Sequence, residues 1–226
     1  MNILVVAAHP DDEVLGCGGT VARLAREGHR VSFAILGEGV TSRYADPKQA
    51  DAALLKALHH KAHEAAKLLG AAELSLHNLP DNRFDTVPLL DVVKRVEGLV
   101  EQHKPELIFT HHSGDLNVDH QVTHRAVLTA TRPLAGKSVR EIYAFEVPSS
   151  TEWAFQQMAP IFRANVFYDI SATLELKQRA MALYDSEARA FPHPRSSQAL
   201  EAIALRWGSV AGLHAAEAFE VQRIVR

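Results

Sequence analysis

The run Ile3-Leu4-Val5-Val6-Ala7-Ala8-His9-Pro10-Asp11-Asp12-Glu13-Val14-Leu15-Gly16-Cys17-Gly18-Gly19 decides how this chain is read. Its first six residues are apolar and match a buried strand. Val14, Val21, Leu24 and Ala25 then fall at the three, four and seven spacing of one helix face. One imidazole and three carboxylates therefore occupy a strand-to-helix turn, which in an open α/β sheet lies at the carboxyl edge where ligands bind. Acids this close repel one another unless positive charge compensates, and a metal ion holds carboxylates ionised. His9 and Asp12 offer a nitrogen and an oxygen that zinc accepts, while Asp11 can face a metal-bound water. The competing explanation is three acids decorating a helix N-terminus, where each gains roughly 0.3–1 kcal/mol. The His9-Pro10 pair at the strand end favours a site.

Composition narrows the class. The 226 residues are 47% hydrophobic and 23% charged, which suits one globular domain spanning 1–226. A net charge of −3, from 24 basic and 27 acidic side chains, draws the protein to neither nucleic acid nor an anionic membrane. No apolar run approaches the ~20 residues of a membrane span, and the opening strand carries no signal-peptide pattern, so a soluble, cytoplasmic protein is expected. Cys17, the single cysteine, sits between glycines as a small packing residue. Among the 13 histidines, His59, His60 and His63 fall on an Ala- and Lys-rich solvated helix face, and His29, His77 and His103 at element ends. His9, His111, His112, His120, His124, His193 and His214 remain as candidates.

Residues 31–36 read as a second strand, followed by a Gly-containing functional loop, 37–47, at the same edge. Arg43 in that loop is suited to gripping an anionic or hydroxyl-rich ligand. A helix is expected from Lys48 to Leu69, stopped by Gly70, then a short strand at 74–76 and a polar loop, 79–85, carrying Arg83. Leu89, Val92, Val93, Val96, Leu99 and Val100 keep helical spacing, and 107–110 is a fourth strand. This alternation predicts a Rossmann-like α/β fold: a doubly wound, mostly parallel sheet with helices on both faces and the site at the carboxyl edge of the strands.

The fourth strand runs into His111-His112-Ser113-Gly114-Asp115-Leu116-Asn117-Val118-Asp119-His120-Gln121-Val122-Thr123-His124. Asp119 is the expected N-cap of a helix with Val122, Ala126, Val127 and Ala130 inward, which puts His120 in its first position. If strands one and four are neighbours, His120 faces His9 and Asp12. Three ligands with a fourth place open is the arrangement of a catalytic zinc, and Asp115 or Asp119 would orient an imidazole. His111 and His112, at a strand end, compete for the third place. The pair His120 and His124 imitates a zinc-protease helix, but Gln121 stands where that motif needs its glutamate.

Beyond residue 130, 142–145 and 166–168 read as strands separated by a loop at 148–150, and Ser171 as the cap of a helix through Tyr184. Prolines flank His193 and keep 190–197 out of a helix; a rigid loop carrying His193 and Arg195 suits a substrate pocket. A last helix is expected to end near Gly208, before His214.

Ala8-His9-Pro10-Asp11-Asp12-Glu13 with Gly16-Cys17-Gly18-Gly19, together with Asn117-Val118-Asp119-His120 and the Ala216-Glu217-Ala218-Phe219 ending, resembles the LmbE-like, or PIG-L, family of zinc-dependent N-acetyl-sugar deacetylases. The resemblance implies a metal-dependent N-deacetylase, a hydrolase that releases acetate and a free amino sugar from an N-acetylglucosamine-like substrate. It leaves open whether that sugar is free, nucleotide-, phosphate- or lipid-linked, and whether the chain forms homo-oligomers. Zn2+, or another divalent transition metal, is expected on His9, Asp12 and His120, with Asp11 as general base. Many members carry histidine where this chain has Asn117. An amide can donate to an oxyanion but cannot protonate the leaving amine, so that role passes to His193, then His214, or to Asp11 returning its proton. Arg43, Arg83, Arg195 and His214 are the expected substrate contacts.

Other classes fare worse. Gly16-Cys17-Gly18-Gly19-Thr20-Val21 lacks the third glycine of a dinucleotide fingerprint, and the preceding acids would repel a pyrophosphate. A phosphoryl-transfer enzyme would need a phosphate-cradling loop with its lysine, which the sequence lacks. A non-catalytic sugar- or metal-binding protein of the same fold is the surviving alternative.

Overall fold

The structure, a computed structural model, describes residues 1–44, 46 and 49–226. Strand β1 (Asn2–Ala7) is buried on both faces: Ile3, Val5 and Ala7 enter one core, Leu4 and Val6, with Ala8 beyond them, the other. That two-sided burial is why its sequence is continuously apolar rather than alternating. Around it lie β2 (Arg30–Gly37), β3 (Glu73–Leu79), β4 (Leu107–His111), β5 (Glu141–Phe145), β6 (Val166–Asp169) and β7 (Ala216–Ile224), in the order β3-β2-β1-β4-β5-β7-β6. The first five in sequence pair parallel, and β7 runs antiparallel to both β5 and β6.

Helices α1 (Asp12–Arg26), α2 (Ala52–Leu69) and α5 (Leu174–Leu183) cover one face, and α3 (Leu89–His103) and α4 (Val118–Ala130) the other. A sixth, α6 (Ser197–Ala211), packs beside β7 and β6. The chain leaves β1 towards β2 and β3, then returns to β4 on the opposite side, with Val6 opposite Thr110. Strand order reverses between β1 and β4, and such a switch opens a crevice at their carboxyl ends. Strands one and four are therefore direct neighbours.

Helix α1 is broken at Cys17, whose φ of −148° and ψ of 18° are not helical. The break exposes amides and carbonyls that an unbroken helix would pair. Glu217 accepts the Gly19 and Thr20 N–H groups at 3.0 and 2.6 Å, and Lys177 Nζ donates to Leu15 O at 2.8 Å and to Glu217 Oε1 at 2.6 Å. Both ionic side chains are buried, at 7% and 5% exposure for Lys177 and Glu217. Glu217 thus caps the second half of α1 while Lys177 closes the first. Gly16 meets Phe145 of β5 so closely that a Cβ would clash with the ring's Cδ2.

Several boundaries differ from expectation. Asn117, not Asp119, caps α4, its side chain accepting from Asp119 N. Helix α5 begins at Leu174, because the Ser171 hydroxyl turns back to Asp169. Helix α6 passes Gly208 and stops at Gly212 in the left-handed conformation. Gly208 is a close-packing position, since a Cβ there would press on the Leu213 and His214 carbonyls. β3 extends from Glu73 to Leu79. The expected helix start at Lys48, with Ala45 and Pro47 of the preceding loop, lies outside the described residues; α2 as described begins after Asp51, whose side chain accepts from Ala53 N. No helix among the described residues is long and apolar enough to cross a membrane.

Candidate metal and catalytic site

At the crevice the two quoted stretches meet. Asp12 Oδ2 accepts the His9 N–H at 2.8 Å and lies 3.3 Å from both His9 Nδ1 and His120 Nε2. One ligand atom from each of His9, Asp12 and His120 falls within 4.8 Å of the others. Behind each imidazole stands an acid. Asp119 Oδ2 is 2.8 Å from His9 Nε2, and Asp115 Oδ1 is 3.1 Å from His120 Nδ1. Both acids are themselves held: Asp119 by the Asn82 and Phe84 amides at 2.7 and 2.8 Å, Asp115 by the Asn117 amide and the Ser150 and Thr151 hydroxyls. Metal-ligating imidazoles are oriented by a carboxylate at the far nitrogen; for His9 that contact is a hydrogen bond, for His120 an ion-pair distance to Asp115.

Buried His120 Nε2 has no hydrogen-bond partner among the described residues, an orphan that a cation would satisfy. The donor set, two nitrogens and a carboxylate oxygen, suits a divalent transition metal. The charges agree. Burial opposes protonation of His9 and His120, yet the surrounding carboxylates, Asp119 and Asp12 foremost for His9 and Asp12 and Asp115 for His120, raise the first well above the usual range and the second to about 9. Burial likewise opposes ionisation of Asp12, but His120 and His111 hold it well below the carboxylate range. The cradle draws positive charge. His9, Asp81 and Asp119 form a second close group, but Asp119 is engaged by two amides and Asp81 accepts the Ser42 amide and hydroxyl, so these acids serve as backing.

The competitors fall away. His111 Nε2 accepts the Ala8 N–H at 2.8 Å, and its ring stacks on His120 at 3.9 Å. His112 Nε2 is 2.8 Å from Pro160 O, and His124 Nδ1 is 2.8 Å from His111 O. In each of the three, one ring nitrogen is thus engaged by the backbone, and none belongs to the group that converges on Asp12 with His9 and His120.

Asp11 has a left-handed backbone, φ 113° and ψ −29°, a conformation that costs a non-glycine residue about 1–3 kcal/mol. Its carbonyl accepts from Val14 and Leu15, but its side chain makes no cap. Oδ2 instead accepts from Arg195 Nη1 at 2.7 Å, and Arg195 Nε donates to Ser149 Oγ at 2.7 Å. Burial pushes the Asp11 carboxyl up to about 8, against the downward pull of Arg195.

These groups line a polar cavity of about 200 Å³. Arg43 and Asn117 also line it; Arg43 is bonded to Glu187, and Asn117 Nδ2 donates to Asn82 Oδ1 at 2.9 Å. Arg83 is exposed and off the lining, although its neighbour Asn82 belongs to it. His193 stands behind the wall, its Nδ1 accepting the Arg195 N–H at 3.1 Å and its ring edge-on to Trp153. His214 is not brought to the site: it is exposed in the turn into β7, which pairs with β5 and β6 away from the β1–β4 crevice. Glu187 and Ser149 join the wall from segments that carry no recognisable motif. A larger hollow of about 670 Å³, between α3 and the 131–139 loop, is lined by groups such as Lys94, Glu97 and Lys137 and holds no comparable convergence.

Comparison with known proteins places the chain among deacetylase-like sequences. Residues 4–131 match the family model described as PIG-L: GlcNAc-PI de-N-acetylase. The chain is 28% identical to an uncharacterized deacetylase, YaiS, of Escherichia coli (strain K12), over 66% of this chain and 75% of that protein. It is 25% identical to the diacetylchitobiose deacetylase of Thermococcus kodakarensis, over 96% and 81% respectively. Among solved structures, GalB, the 4-carboxy-2-hydroxymuconate hydratase of Pseudomonas putida KT2440, superposes with a TM-score of 0.78 at 22% identity, over 100% of this chain and 99% of that one. That last likeness concerns the fold.

Proposed function

The chain belongs to the PIG-L family, and from that premise we propose that it hydrolyses the acetamide of an N-acetylglucosamine-like sugar, releasing acetate. The observation that supports this most is the convergence of His9, Asp12 and His120 on one point, with Asp11 beside them on a polar cavity. Those three side chains would hold a zinc ion, which when bound supplies a water of lowered pKa and polarises the amide carbonyl.

The protein's own groups do the rest. Asp11 accepts the proton of the attacking water. Arg195 is better read as the partner of this base than as a substrate grip: donating to Oδ2, it works against the larger effect of burial and favours the ionised carboxylate. Asn117 Nδ2 gives one hydrogen to Asn82 and keeps a second for the developing oxyanion. With His193 behind Arg195 and His214 remote, Asp11 returns the proton to the leaving amine. Arg43 and Ser149 line the cavity and would meet the sugar, while the Ser150 hydroxyl stays on Asp115. A cavity of about 200 Å³ suits one ring better than a polymer.

The test is acetate release, with zinc content, across N-acetylglucosamine, its 1-phosphate, a nucleotide-linked form and diacetylchitobiose. Zinc bound with no acetate from any of them would leave a metal-binding protein. Full activity in Asp11→Asn would remove the base assignment.

A further inference from the structure

An aspartate at the head of a helix ordinarily takes extended backbone angles and turns its carboxylate onto the amides of the second or third helical residue. Asp11 holds that place before α1 but does neither: its backbone is left-handed and its carboxylate goes to Arg195 and the cavity. Something must maintain the less favoured geometry. The Asp11 N–H donates to Glu13 Oε2 at 3.0 Å, and the other oxygen, Oε1, accepts the Tyr184 hydroxyl at 2.6 Å. All three residues are buried, Tyr184 at 0% exposure. Tyr184 closes α5, and its carbonyl accepts the Glu187 and Ala188 amides, both at 2.8 Å, so the brace is anchored in its turn.

We infer that Glu13, braced by Tyr184, is a positioning residue that fixes the Asp11 peptide and so withholds the Asp11 carboxylate from its own helix. The inference rests on the reading of Asp11 as general base. Without the Glu13 carboxylate the Asp11 N–H loses its acceptor and φ relaxes to the extended region. The Asp11 side chain then swings onto the Glu13 and Val14 amides as an ordinary cap. Glutamine should serve in place of glutamate, because its oxygen can face the Asp11 N–H while its amide donates to the Tyr184 oxygen.

The experiment compares Glu13→Ala, Glu13→Gln, Tyr184→Phe and Asp11→Asn as zinc-loaded proteins, measuring kcat, KM and bound zinc, with a crystal structure of Glu13→Ala. Glu13→Ala should lower kcat by about 100-fold at unchanged KM and zinc content, the scale of a displaced general base. Tyr184→Phe should cost about tenfold, as for one lost hydrogen bond, and Glu13→Gln should stay within about threefold of the parent. Asp11 should show a negative φ in the Glu13→Ala crystal. Retention of the left-handed Asp11 there, or a kcat within about threefold of the parent, overturns the inference. So does a joint loss of kcat, KM and zinc in both Glu13 variants, which would mark a general structural role. Full activity in Asp11→Asn would instead sink the base assignment, while the crystallographic φ still decides the positioning claim.

Discussion

Glu217→Ala is the most demanding test of how α1 is held over the site. The carboxylate satisfies two backbone amides and one buried ammonium. Its loss leaves the Lys177 ammonium, its side chain 7% exposed, with the Leu15 carbonyl as its one remaining partner among the described residues. Stranding one partner of a buried pair costs about 3–5 kcal/mol, and each orphaned amide about 1–3 kcal/mol. Taking the low end of each, because Leu15 O keeps one bond and the helix can relax, gives about 5 kcal/mol. That is comparable to the whole stability of many domains, about 5–15 kcal/mol. Adding Lys177→Met removes the stranded charge and should restore about 2–3 kcal/mol, leaving the amides as the residual loss. Urea unfolding followed by circular dichroism reads both values, provided the slopes stay constant. Were Glu217→Ala within about 1 kcal/mol of the parent, or the double variant less stable than the single one, the capping account of the break would be wrong.

The other expectations are smaller. Asp119→Asn should weaken metal affinity by about 10- to 100-fold, read by chelator competition; unchanged affinity would refute its role behind His9. Asn117→Ser keeps a capping oxygen but no amide donor, so stability should hold while kcat falls by about 100-fold; equal kcat would exclude Asn117 from the oxyanion. Against the cost of burial, His120 and the Ser150 and Thr151 hydroxyls hold Asp115 down to about 2. A depressed carboxyl stabilises the fold above its unfolded pKa near 4 and loses that contribution as pH falls through its folded value, here about 2 kcal/mol. Acid unfolding of Asp115→Asn should therefore be flatter than the parent's between about pH 4 and 2, and parallel curves would contradict it.

The sequence was most legible where chemistry and local structure coincide. An apolar run leading into His9-Pro10-Asp11-Asp12 names a strand, an edge and two candidate ligands at once, and the pairing of β1 with β4 brings His120 to them. Legibility failed where tertiary contacts choose between locally equal options. Asn117 and Asp119 are both good caps; Asn117 takes the role because the Asn82 and Phe84 amides and His9 claim Asp119. Gly208 looks like a helix stop, yet its use is a close approach to the turn at His214. Arg195 lines the cavity as expected, but no local signal shows that it also meets Asp11, 184 positions earlier in sequence. Glu187, which joins Arg43 to that wall, belongs to no pattern at all.

Strand β7 is last in sequence order but sits between β5 and β6 rather than at a rim. A chain growing on the ribosome therefore carries His9, Asp12 and His120 long before the sheet is complete. Until β7 slots in, β5 shows a bare hydrogen-bonding edge, the feature by which unfinished sheets join to one another. The same insertion delivers Glu217 to the break in α1. Closing the sheet and stiffening the helix that begins at Asp12 are thus one event, and a nascent chain stalled short of it shows an open β5 edge and a break in α1 without its Glu217 cap.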